Sequence, residues 1–430
     1  MNGLNFKDID LSSSCFEELS NFFETEKLEQ LGREVKFIER STSRLSAWMF
    51  LQLNTCLINN GKMDSLNDLG AELFKHFGVQ LTKQSLDERF NIYGVSLMRK
   101  CFESVFEKIL SSNSSFERFT CGFKRIILRD ATSFQLPPDL ATYYQGNAGD
   151  TTGSVIKLQH DFDLLSGKTL RLDFRNGKET DTDWLNKQGL EVLTDDLHLM
   201  DLGYYKLAHL TTIAQQGGFF ISRYKVGTSL FIKSVEGKYI ALDWSEMLNQ
   251  VKGNDFERAV YLGVGKSKLQ VRLHLQKMPE EVAQKRLKKY QAKQSNQPKH
   301  RRHYQTSDFK KQLAHYNIFI TNAPKELLRG NQIYQFYRLR WQIELLFKIW
   351  KSLFEIDKIG KMSIARFECY LYGKLISILL GGYIQNLFNE FVEKKIDFEL
   401  SEWKAYKILK KTSKRFGNTS ECKWTHSEIG

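Results

Sequence analysis

Four polar residues in the last third of this 430-residue chain carry its clearest chemical pattern: Tyr337, Arg340, Glu344 and Lys351, at successive intervals of three, four and seven. At about 100° per helical residue they fall within roughly 60° of one another, so one helix through 337–351 presents all four on a single face. Lys348 joins that face and Trp341 borders it, while Leu346, Ile349, Trp350 and Leu353 point away, as in an amphipathic helix packed on a core. One carboxylate held among cations suits a hard metal ion beside a polyanion: the acid ligates Mg²⁺ while Arg and Lys take phosphate oxygens. A solvated helix laced by i,i+4 ion pairs produces the same spacing, which by itself leaves both readings open.

The surrounding residues favour the first. Tyr337-x2-Arg340-x3-Glu344-x6-Lys351, embedded in YRLRWQIELLFKIWKS, resembles the Y-R-E-K signature of DDE transposases from bacterial insertion sequences, in the group conventionally called family four. The resemblance makes Glu344 the third catalytic carboxylate and requires two more upstream, each at the end of a strand. Asp130 closes the apolar run FKRIILRD and Asp201 lies in LHLMDLGYY; RDATSFQLP and DLGYY are similar to the regions around the first and second acids of that family. The likeness covers roughly residues 123–360. It implies that Asp130, Asp201 and Glu344 hold two Mg²⁺ ions about 4 Å apart, with Mn²⁺ as the substitute and zinc disfavoured by the all-oxygen donor set. It also implies that Tyr337, Arg340 and Lys351, with Lys348 beside them, bind DNA phosphates near the cleaved end. A tryptophan of an inserted domain would stack on a flipped base; Trp244 in ALDWSEM is the candidate, against the plain alternative of a core tryptophan. Six further acids compete for the catalytic roles, Asp139, Asp161, Asp163, Asp173, Asp195 and Asp196, since a strand-end Asp is more often a turn former than a ligand.

The elements that must position these residues follow from periodicity. Residues 1–120 read as a helical DNA-binding domain, with apolar residues recurring every three to four positions in FEELSNFFETEKLEQL and SLMRKCFESVFEKIL. Within it, a helix before Gly78-Val79 and a second one capped by Thr82 give a helix-turn-helix layout, placing Lys83, Gln84, Asp87 and Arg89 on the second helix. From residue 123 the period becomes two: strands at FKRIILRD, SVIKLQHDFDLL and TLRLDFRNG, with a hairpin at Ser166-Gly167, then LHLMDLGYY, a helix closed by Gly217-Gly218, and FFISRYKV. Three antiparallel strands, a further strand and then helices is the order of a ribonuclease-H-like sheet. The expected fold is α/β, its catalytic core split into 121–225 and 316–360 by a β-rich inserted domain over 226–315, with a helical region over 361–430.

Charge points to the partner. The chain carries a formal +13 and a pI near 9.2, favouring nucleic acid first and a membrane surface second. Residues 285–311 hold ten Lys/Arg against Asp308 alone. Lys285, Arg286, Lys288 and Lys289 open this run, and interleaved tyrosines and histidines suit backbone and base contacts, although a solvated charge run is the usual origin of such a stretch. A second basic run spans Lys404 to Arg415. Six scattered cysteines without a C-x-x-C pair argue against zinc and disulfides and for a reducing cytoplasm. No signal peptide is visible, and Leu375–Ile384 is too short and glycine-interrupted to span a membrane. GVGKS at Gly263–Ser267 is excluded as a phosphate loop because Val260 stands where the pattern needs Gly. His209 and His274 lack ligand-like spacing and read as structural.

The expectation is a cytoplasmic, nucleoid-associated transposase that cuts an insertion element at its terminal inverted repeats and joins the 3′ ends to target DNA, by cut-and-paste and as a homodimer on DNA. A non-catalytic transposase-derived DNA-binding protein would be signalled by a lost acid. A simple metal-dependent nuclease would not need the Arg340 and Lys351 clamp.

Overall fold

The computed structural model describes residues 23–40, 43–55, 65–111, 122–147, 149–263, 268–295 and 308–396. The N-terminal segment contributes helices α1 (Thr25–Glu34), α2 (Ala47–Thr55), α3 (Leu66–Phe77), α4 (Lys83–Asp87) and α5 (Ile92–Ser111). The predicted turn between α3 and α4 is present. Ser65 and Asp68 form a reciprocal capping box, Gly78 ends α3 in the left-handed conformation at φ 67°, and the Thr82 side chain caps α4. Helix α4 has five residues, and Arg89 is not a surface reader: its guanidinium donates to Phe37 O and Ser43 Oγ, both at 3.1 Å.

Strands β1 (Arg125–Gln135), β2 (Val155–Asp163) and β3 (Lys168–Asn176) form the antiparallel meander, and Gly167 at φ 68° makes the predicted hairpin turn. Helix α6 (Asp181–Gln188) leads to β4 (Asp196–Met200), and α7 (Leu207–Gln215) to β5 (Phe219–Arg223); β4 pairs parallel with both β1 and β5. The segment expected as an insertion is β-rich, with β6 (Leu230–Lys233), β7 (Tyr239–Ala241), helix α8 (Trp244–Asn249), β8 (Asp255–Leu262) and β9 (Leu269–Lys277). Its strands extend the same sheet, because β9 and β5 both pair with β10 (Tyr316–Thr321). One ten-stranded sheet results, in the order β3-β2-β1-β4-β5-β10-β9-β8-β6-β7. Helices α9 (Glu280–Ser295) and α10 (Asp308–Leu313) precede β10, and α11 (Gly330–Leu339), α12 (Trp341–Ser352) and α13 (Ile364–Ile396) follow it.

Two cores lie on the sheet. The larger joins α2, α3 and α5 to α12, α13 and one face of β1–β3, through Phe50, Leu73, Leu97, Ile126, Leu128, Ile343 and Phe367 among others. The N-terminal and C-terminal helices therefore share one core with the catalytic strands. Helix α13 crosses α2 so closely at Gly373 that a Cβ there would run into the Asn54 carbonyl. The second core fills the other face with Trp184, Tyr204, Phe220, Val260, Leu273 and Ile320. Among the described residues no helix is long and apolar enough to cross a membrane.

Candidate functional site

Strand β1 is central, buried on both faces over residues 126–129, and its two-residue alternation sends Asp130 and Arg129 to opposite sides. Contrary to expectation, Asp130 does not end the strand, which runs on to Gln135 paired to β2. What ends there is the neighbour: the parallel register finishes at Arg129 against Met200, so Asp130 and Asp201 are the next residues on adjacent chains. Asp201 then stands at the N-terminal position of the short 3-10 turn Leu202–Tyr204, its side chain making no capping hydrogen bond. The sequence thus places the first two acids side by side through the loss of one strand's pairing.

The third acid arrives on a broken helix. The single helix expected over 337–351 is two, with Arg340 ending α11 and starting α12. Arg340 keeps helical dihedrals (φ −53°, ψ −28°), so the residues remain near one another although the hydrogen-bonding is interrupted. Its guanidinium lies between two acids, donating from Nη1 to Asp130 Oδ2 at 3.0 Å and from Nη2 to Glu344 Oε1 at 2.5 Å. Burial raises the Asp130 carboxyl to about 6, opposed by the Ala131 amide and Arg340 and assisted by the charges of Asp201 and Glu344. His160 sits opposite Asp130 in the β2 register, its ring 4.9 Å from that of Trp350; burial lowers it to about 4, so it is neutral near pH 7.

The remaining signature residues are more enclosed than free phosphate ligands would be. Tyr337 is 5% exposed, its ring 5.0 Å from that of Phe319. Its hydroxyl and the Arg340 Nε are both buried without a hydrogen-bond partner, and burial raises the phenol, against the pull of Arg223 and Arg340. Lys351 is half-buried at the groove: its Nζ donates to Ser133 O at 2.9 Å, tying α12 to β1. Lys348 is exposed, and an open groove beside Asp130 is bordered by Glu344, Lys348, Lys351, Asp357 and Lys358.

Arg223 was missed by sequence reading. It lies at the end of β5, exposed, with its guanidinium 5.5 Å from the Tyr337 ring centroid. Its position two strands from β1 was the available signal, since FFISRYKV ends beside the acids once β5 pairs with β4. The other candidates are placed as follows. Trp244 begins α8, capped by Asp243, and is half-buried against Tyr224 at 5.1 Å, so it packs on the second core. Arg286 turns inward to Asn317 Oδ1 (2.6 Å) and Tyr316 O (3.2 Å), whereas Lys285, Lys288 and Lys289 on the same helix are exposed. The basic run between 296 and 307 and the one at 404–415 lie outside the described residues.

The six competing acids are all engaged elsewhere. Asp161 pairs bidentately with buried Arg129, at 2.7 Å on both oxygens, and Asp196 with Arg125 at 2.8 and 2.6 Å. Asp163 accepts from the Ile126 and Leu165 amides, Asp173 from Trp184 Nε1, and Asp195 and Asp139 face Lys124 and Lys361. Asp130 and Glu344 border the groove, and Asp201 follows the β4 strand end next to Asp130. Among the described residues no three metal-ligating side chains are drawn together; here Arg340 occupies the space between two of the three carboxylates.

Adjacent strands β1 and β4 bring two acids side by side, and helix α12 brings a third that shares Arg340 with the first, an arrangement of oxygen donors beside cations. Comparison with known proteins identifies it. Residues 122–380, more than half the chain, match the transposase DDE domain, and this chain belongs to that family. It is 33% identical over 409 residues to the transposase for insertion sequence element IS231F of Bacillus thuringiensis subsp. israelensis, covering 91% of this chain and 84% of the relative. The transposase for IS1151 of Clostridium perfringens is 31% identical over 399 residues, with 89% and 83% covered. The piggyBac transposase synaptic complex with hairpin DNA, solved by cryo-EM, aligns with a TM-score of 0.44 and 10% identity over 96% of this chain and 82% of that one, a likeness too distant to argue from. The protein is a DNA transposase, a DNA-cleaving and strand-transferring enzyme.

Proposed function

We propose that the chain cuts an insertion element at its terminal inverted repeats and joins the freed 3′ ends to target DNA, in a cut-and-paste path on a ribonuclease-H-like core. The observation that carries this reading is the pair of buried, unpartnered donors beside the acids, the Tyr337 hydroxyl and Arg340 Nε. A buried donor without a partner costs about 1–3 kcal/mol, and a phosphate oxygen at the mouth of the site would satisfy both.

Enzymes of this family depend on divalent metal. Three carboxylates offer the oxygen donors a hard cation such as Mg²⁺ or Mn²⁺ accepts, and the raised Asp130 carboxyl marks a buried charge short of positive compensation. Asp130, Asp201 and Glu344 would hold the ions. When bound, they supply activation of the attacking oxygen and stabilisation of the leaving one. Arg340 balances Asp130 and Glu344, and on DNA binding its guanidinium turns to the phosphate, releasing both acids to their ligands. Arg223 and Tyr337 clamp the same phosphate from the β5 side. Lys351 fixes α12 against β1, while Lys348 reaches the strand from the exposed face. The protein acts as a homodimer that holds two element ends.

Incubating the purified protein with Mg²⁺ and duplex carrying the element's own repeats tests the reading. Nicking at the repeat boundary followed by joining to a second duplex is expected. Cutting at random positions without joining would support a simple nuclease, and binding without cutting a non-catalytic DNA-binding protein.

A further inference from the structure

At the far end of the sheet, one face is left open with an aromatic and basic surface that the chemistry above does not use. The register fixes its membership: Phe231 lies opposite Ala241 and Tyr261, Lys233 opposite Tyr239, and Tyr261 opposite Gln270. Residues at these positions share one side, while Leu230, Val260, Leu262 and Val271 on the other are buried in the second core. The rings cluster. Tyr239 is 42% exposed and meets Tyr261 edge-on at 5.0 Å, and the Lys268 ammonium stands 3.8 Å from the Phe231 centroid and 5.6 Å from that of Tyr239. Lys233, opposite Tyr239, is exposed on the same side. Glu257, an acid on the same face, is already neutralised by Arg272 at 2.9 Å and Lys325 at 3.3 Å.

Towards the cleft the same face is covered, with His274 and Phe319 each 1% exposed. Glu257, His274 and Phe319 lie on it in successive strands, and Phe319 is the ring on which Tyr337 rests. Three strand spacings of about 4.8 Å separate β10 from β6, and Tyr261 lies four residues along β8 from the Phe319 register, so the rings lie roughly 20 Å from that seat, the rise of about six stacked nucleotides in one strand.

We propose that this open face is a stacking platform for unpaired DNA, accepting the bases of a strand displaced at the element end. Exposed rings on a sheet, with lysines to take the backbone, are the surface by which proteins hold single strands without reading sequence. A second copy of the chain is a poorer occupant: β7 has only three residues and its neighbourhood carries Lys233 and Lys238, features that discourage edge pairing. The proposal rests on the chain acting on DNA, and its test needs no cleavage.

Full-length protein is titrated with a fluorescein-labelled oligo-dT strand and, separately, with a duplex of equal length, in EDTA. Tyr239→Ser is expected to weaken single-strand binding about tenfold and duplex binding less than twofold, with Tyr239→Phe behaving as wild type. Lys268→Gln is expected to lower the salt slope for the single strand. Unchanged single-strand affinity in Tyr239→Ser overturns the proposal, as does an equal loss on duplex, which would make the surface merely electrostatic. A change in sedimentation of Tyr239→Ser without DNA would assign the face to a second copy instead.

Discussion

Two arginine–carboxylate arrangements, one residue apart on β1, behave oppositely. Arg129 and Asp161 are 1% and 6% exposed and close on each other bidentately, with the remaining guanidinium nitrogen donating to Met200 Sδ at 3.8 Å. Across the strand, Arg340 shares one guanidinium between Asp130 and Glu344, at 16%, 20% and 42% exposure, and keeps an unpartnered Nε. The same chemical groups serve a fold when their hydrogen-bonding is complete and buried, and a ligand when it is incomplete and open at one side. Buried, complete pairs cost stability when broken; open, shared ones can exchange a partner.

The comparison is broken most sharply by removing charge on the open side. Asp130→Asn, Asp201→Asn and Glu344→Gln are each expected to reduce cleavage of repeat-bearing duplex by on the order of a thousandfold or more, the scale of several kcal/mol of lost transition-state stabilisation. Gel-shift affinity should stay near wild type; a variant that still cuts at the native rate removes that residue from the site. On the closed side, Arg129→Met should cost about 3–5 kcal/mol in urea unfolding by stranding Asp161, and the double variant Arg129→Met/Asp161→Leu should recover most of it. Failure of the double variant to recover would mean the pair is needed for more than its own neutralisation.

A subtler contrast is in pH. The Asp130 carboxyl is raised to about 6 from an ordinary 3.8, so its proton favours the folded state. The stability it contributes is fully present below about pH 3.8 and is lost as pH rises through 6. In EDTA, wild-type stability relative to Asp130→Asn should therefore fall by about 2 kcal/mol between pH 4 and pH 7, measured by denaturant titration. A flat difference would show that Arg340 already compensates the charge. Smallest are the surface effects. Lys348→Ala should lower the log–log salt slope of end binding by about one unit, and Lys285, Lys288 and Lys289 changed together to Gln should lower nonspecific affinity without altering the fold. Adding Arg286→Gln to that triple variant should also reduce thermal stability, because Arg286 holds Asn317 and the Tyr316 carbonyl.

The three acids were singled out by resemblance, through YRLRWQIELLFKIWKS, RDATSFQLP and DLGYY, because spacing alone left a solvated helix and six other acids open. The strands through β5 were legible from their two-residue period. The break at Arg340 was not, since a residue with helical dihedrals leaves the periodicity intact. Nor was the destination of Lys351, whose carbonyl partner lies 218 residues away in β1, or the use of Asp161 by Arg129, which depends on the β1–β2 register. That β6–β9 extend the main sheet was hidden by the pairing of β9 with β10 across the basic helix. Composition cannot show which strand a strand will choose.

The Gly373 crossing has a consequence for how the protein is made. Helix α2 emerges early from the ribosome, yet the surface that covers Asn54 belongs to α13, more than three hundred residues later. At about 5–20 residues per second that interval lasts on the order of tens of seconds. Throughout it Phe50, Leu51 and Leu53 lack part of their native covering, and a truncated product ending before α13 would keep that apolar surface in water. The acids cannot be assembled earlier either, because Glu344 is itself late in the chain. Cutting ability therefore appears only after α12, which carries Glu344, has been made.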